Sequence, residues 1–139
     1  MSSCNTNNTQ EKRFKIDFWD YNFSMAYSLH YHFDNEGMFV VRMGGLKNES
    51  PDTLIRRKLS DNELNVIYNA LCDMPIDNLE SEYISPLTED GDQKRIELSI
   101  NDKVKDIRIS NVYQEDISLL INVVNKFLDE KLKIEYQKR

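Results

Sequence analysis

Residues 24–34 alternate between apolar and polar side chains without a fault, and this pattern constrains the fold more than any other. Met25, Tyr27, Leu29, Tyr31 and Phe33 fall on one side; Ser24, Ala26, Ser28, His30, His32 and Asp34 fall on the other. Successive side chains of a β-strand point to opposite faces, so a period of two predicts a strand with one buried face and one wet face. Such a strand needs a sheet around it and a core on one side.

The rest of the chain supplies both. Phe14, Ile16 and Phe18 alternate with Lys15 and Asp17, which predicts a first strand. After the 24–33 strand, Asp34-Asn35-Glu36-Gly37 reads as a turn, with Gly37 able to take a positive φ. Residues 38–43 return as a partner strand, with Phe39, Val41 and Met43 on one face and Phe39 counted among the inward residues. Gly44 and Gly45 suggest a bend, and 53–58 reads as a fourth strand. Ser60-Asp61-Asn62-Glu63 has the form of a capping box, with Leu59 and Leu64 placed as a hydrophobic staple. Leu64, Ile67, Tyr68 and Leu71 then form one helical stripe, and Pro75 ends the helix. Cys72 sits at the buried edge of that helix as a packed thiol.

A short strand is expected at 79–84, followed by Ile96, Leu98 and Ile100 alternating on another strand. Val104, Ile107 and Ile109 form its partner, and their offset points to a bulge. A last helix is expected over 113–132, its stripe carried by Ile117, Leu120, Ile121, Val124 and Leu128. The order ββββ-α-(β)ββ-α predicts an α+β fold, a mainly antiparallel sheet with two helices packed on one face. Residues 1–12 read as a disordered tail and 13–139 as a single domain, which suits a chain of 139 residues. Hydrophobic residues at 40% and charged residues at 30% exclude a disordered chain.

Charge narrows the function. The formal net charge is −6, and basic residues are scattered apart from Arg56, Arg57, Lys58 and the C-terminus. Nucleic-acid binding needs a basic face that displaces counterions, so no nucleic-acid partner is expected. Between 73 and 92 lie seven acidic residues (Asp73, Asp77, Glu80, Glu82, Glu89, Asp90 and Asp92) and no lysine or arginine. The segment is a solvated loop or a docking face for a basic protein. Trp19, Tyr21 and Phe23 bunch between the first two strands, as a core edge or as an anchor of the kind that dominates binding hot spots.

No group of residues has the spacing of a known reaction centre, and neither phosphate-binding glycine fingerprint is present. Glu89-Asp90-Gly91-Asp92 lacks the spacing of a calcium loop. His30, His32 and Asp34 project from one strand face and are the candidate metal ligands, through neutral imidazoles beside a carboxylate. They are also the basis of the alternative reading as a metal-dependent enzyme.

At the N-terminus, Met1-Ser2-Ser3-Cys4 and the polar run from Asn5 to Gln10 resemble the acylated-cysteine site of small bacterial lipoproteins. The resemblance covers about ten residues and lacks the charged start and apolar run of that pattern. It implies lipid attachment at Cys4, a place in the bacterial cell envelope and membrane contact only through that anchor; the alternative is the cytoplasm. The expected function is a small non-catalytic protein-binding domain without a cofactor, of immunity or inhibitor type. The expected contact residues are Trp19, Tyr21, Phe23, Asp77, Glu80, Glu82, Glu89, Asp90 and Asp92. A structural envelope component is the remaining alternative.

Overall fold

The computed structural model describes residues 13–21, 27–44, 50–85, 93–110 and 112–136. The strands are β1 (Phe14–Tyr21), β2 (Tyr27–Asp34), β3 (Gly37–Gly44), β4 (Asp52–Lys58), β5 (Glu82–Ile84), β6 (Gln93–Ile100) and β7 (Lys103–Ser110). The helices are α1 (Asp61–Asp73) and α2 (Glu115–Asn125). One seven-stranded sheet runs in the order β4-β3-β2-β1-β6-β7-β5. Its neighbours are antiparallel, except that β5 pairs parallel with β7. This is the α+β architecture that the order of patterns predicts. None of the described helices is long and apolar enough to cross a membrane.

The core lies on one face of the sheet. Phe14, Ile16 and Phe18 of β1 meet Tyr31 and Phe33 of β2, Met38 and Val40 of β3, and Ile96, Leu98 and Ile100 of β6 in one buried cluster. Ile67, Tyr68 and Leu71 of α1 and Ile117, Leu120, Ile121 and Val124 of α2 close it from above. Each fully buried side chain of this size contributes roughly 1.5–3 kcal/mol.

Several details differ from the sequence pattern. Phe39 and Val41 do not face the core; Met38 and Val40 do. The turn after β2 sets this register: the Asp34 carboxylate accepts from the backbone of Glu36 (2.8 Å) and Gly37 (3.0 Å), and Phe33 pairs with Met38. Gly37 is required by crowding, not by a positive φ, since a Cβ there would lie 2.5 Å from the Arg57 carbonyl oxygen. Tyr27 is 37% exposed at its strand end, outside the core. Val104 leaves the core as well: β6 and β7 pair in unbroken register, with no bulge, and Val104 is 75% exposed on the other face. The register shift falls between Val40 and Val41, against β4. At the β6–β7 turn, Asn101 takes φ 52°, a left-handed conformation that asparagine tolerates.

The last helix stops at Asn125, short of 132, because its side chain clasps the returning chain. Asn125 Nδ2 donates to the Ile134 carbonyl (3.0 Å) and its Oδ1 accepts from Ile134 N (2.8 Å). This reversal brings Leu128 and Ile134 into the core. The short strand starts at Glu82, not at Leu79, which follows a 3-10 turn at Ile76–Asn78. Cys72 is buried on α1 and is disulfide-bonded, not a packed thiol.

The helix start follows its sequence signal. Glu63 N donates to Ser60 Oγ (3.2 Å) and Ser60 N donates to the Glu63 carboxylate (2.9 Å). Arg57 of β4 grips the same carboxylate in a fork, at 3.0 and 2.9 Å, and so ties the edge of the sheet to α1. This guanidinium, with the Ser60 amide, holds Glu63 down at about 2 from its ordinary 4.5.

Two outcomes follow. Ser60→Ala should lower stability by about 1 kcal/mol in urea titration; an unchanged midpoint would refute the cap. For Glu63 the folded value lies below the unfolded one, so its contribution is present above pH 4.5 and is lost as pH falls toward 2. The stability gap between wild type and Glu63→Gln should therefore narrow across that window, and a gap independent of pH contradicts the linkage.

Candidate functional site

On the face opposite the core, among the described residues, no helix covers the sheet. Antiparallel register sets the side chains there in rows. One row runs Glu97, Asp17, His32, Phe39, Arg56 across β6, β1, β2, β3 and β4; the next runs Arg95, Trp19, His30, Val41. The rings stack across the strands. Trp19 lies parallel to His30 at 4.6 Å between centroids, and His32 lies parallel to Phe39 at 4.7 Å. His30 meets Phe39 edge-on at 5.5 Å. The Arg95 guanidinium sits over Trp19 and that of Arg56 over Phe39, each at 5.2 Å. Such cation–π contacts contribute about 0.5–1 kcal/mol at exposed sites.

At the centre of these rows is Asp17, only 4% exposed although it faces away from the core. Its Oδ1 accepts from His30 Nε2 (2.8 Å) and His32 Nδ1 (2.6 Å), and Lys15 Nζ stands 3.4 Å from its Oδ2. The far nitrogen of His32, Nε2, donates to Asp34 Oδ2 (2.7 Å). An ionised carboxylate only accepts, so both nitrogens of His32 must carry protons to make both bonds. Burial disfavours the charged Asp17, but the two imidazoles outweigh it and hold its carboxyl far below the carboxylate range. Burial opposes the charge on His32 too, and Asp17 and Asp34 overcome it and raise its pKa. Asp34 is lowered against the cost of its own burial by His32 and by the Glu36 and Gly37 amides.

His30, His32 and Asp34 do share a face, as the alternation predicts. The carboxylate that joins both histidines, however, is Asp17 of β1; Asp34 reaches only the outer nitrogen of His32. The ligand-type atoms that lie within 4.8 Å of one another are those of Asp17, His30 and His32. Sequence reading missed Asp17 because it looks like any polar position of an alternating strand, and only the β1–β2 register sets it opposite His32. Arg56, Arg95 and Phe39 were missed for the same reason.

Of the expected contact residues, Trp19 and Tyr21 are on the uncovered face. The acidic ones divide. Asp77 pairs with Lys103 at 2.9 Å, while Glu80 and Glu82 are exposed at the β5 end of the sheet. Phe23, Glu89, Asp90, Asp92 and the expected lipid attachment point Cys4 lie outside the described residues. Near Tyr21 and Ile84 the face holds a shallow cleft of about 420 Å³, with Arg95 and Arg108 in its wall. Neither a protein-family model nor a curated protein matches this chain.

Proposed function

We propose that this protein is a non-catalytic recognition domain that grips another protein with the uncovered face of its sheet. The observation that carries the reading is the set of stacked aromatic, imidazole and guanidinium groups from Arg95 through Trp19 and His30, and from His32 through Phe39 to Arg56. Aromatic and arginine side chains dominate binding energy at interfaces, and groups already stacked lose little rotamer freedom when a partner arrives. Tyr21, Met43 and Val104 leave apolar surface exposed on the same face. The partner is of basic character: the chain's net charge of −6 attracts it from a distance, and Glu80 and Glu82 stand exposed at one end of the sheet.

Position-specific photo-cross-linking in cells of the source tests this reading. A photoreactive residue at Tyr21 or Met43 should give one discrete protein adduct that weakens as salt rises. The same residue at Leu119, 57% exposed on α2, should give none. An adduct from Leu119 alone, or from no position, contradicts the assignment.

A further inference from the structure

Three groups at the centre of the uncovered face bring a carboxylate oxygen and two imidazole nitrogens together. We propose that Asp17 Oδ1, His30 Nε2 and His32 Nδ1 bind one divalent transition ion of the zinc type. The three atoms come from two neighbouring strands and lie within 4.8 Å of one another. A tetrahedral ion with bonds of about 2.0 Å holds its ligand atoms about 3.3 Å apart. The two imidazole-to-carboxylate distances, 2.8 and 2.6 Å, therefore need to open by less than 1 Å.

The surroundings are those of a prepared ligand set. Each imidazole is fixed in plane by a stacked ring, His30 by Trp19 and His32 by Phe39. Asp34 accepts a hydrogen bond from the outer nitrogen of His32, the kind of carboxylate–histidine pairing that orients a ligand and raises its basicity. Lys15 approaches the second oxygen of Asp17 and leaves Oδ1 to the ion. On binding, the ion takes the place of the imidazole hydrogens that point at Asp17. His32 releases its Nδ1 proton to solvent, and His30 exchanges its Nε2 proton through solvent for one on Nδ1. Two imidazoles and one carboxylate suit zinc and its neighbours better than calcium or magnesium, which prefer all-oxygen sites. Three protein ligands leave a coordination position for water or for a group from outside.

The proposal goes beyond protein recognition and is tested apart from it, on the isolated chain without a polyhistidine tag and stripped by chelator. Titration with ZnCl₂ followed by calorimetry and native mass spectrometry should give one ion per chain, and CoCl₂ should develop visible absorption. His30→Gln should abolish binding, and Asp34→Asn should weaken it about 10–100-fold, an effect of tuning a ligand. Circular dichroism checks that each variant is folded; should one fail, the wild-type stoichiometry and the remaining variant decide. No saturable binding, or binding that survives His30→Gln, overturns the proposal and leaves Asp17 as a hydrogen-bond acceptor only. The metal titration uses the isolated chain and the photo-cross-linking reads a partner adduct, so the two proposals fail separately.

Discussion

Everything in this structure depends on β1 having two useful faces at once. It sits mid-sheet, paired with β2 on one side and β6 on the other. Its even residues, Phe14, Ile16 and Phe18, carry the centre of the core. Its odd residues, Asp17 and Trp19, anchor the uncovered face. A one-residue slip would put a carboxylate in the core and three large apolar side chains in water, so the register is fixed by both faces. The same constraint explains why Asp17 is so well partnered. A carboxylate hidden at the centre of a sheet costs several kcal/mol unless charge and hydrogen bonds compensate it. Here His30, His32 and Lys15 do so.

Much of this was legible before any coordinates. The alternation of β2 and β6, the capping box of α1 and the stripe of α2 each follow from local chemistry, and together they define an α+β domain. What escaped was what depends on neighbours distant in sequence. The 35–36 turn decides which face of β3 is buried, and it reverses the expectation for Phe39. The Asn125 clasp to Ile134 shortens α2, although the apolar spacing alone would continue it. Val104 looked like a core residue because valine is apolar; its place in the β6–β7 ladder turns it outward.

The candidate site divides along the same line. His30 and His32 share a face because both belong to one strand, and that is readable from a period of two. Asp17 joins them only through pairing between strands, and pairing is a property of the sheet. The rings that fix the histidines, Trp19 of β1 and Phe39 of β3, come from the two strands that flank β2, for the same reason.

The hub at Asp17 is the central claim, and imidazole ¹⁵N NMR tests it most directly. Long-range ¹H–¹⁵N spectra of the metal-free protein should show hydrogen-bonded protons on His30 Nε2 and on both nitrogens of His32, and Asp17→Asn should shift the His30 Nε2 and His32 Nδ1 signals together. Two imidazoles with the averaged spectra of freely rotating side chains, unmoved by Asp17→Asn, would contradict the account.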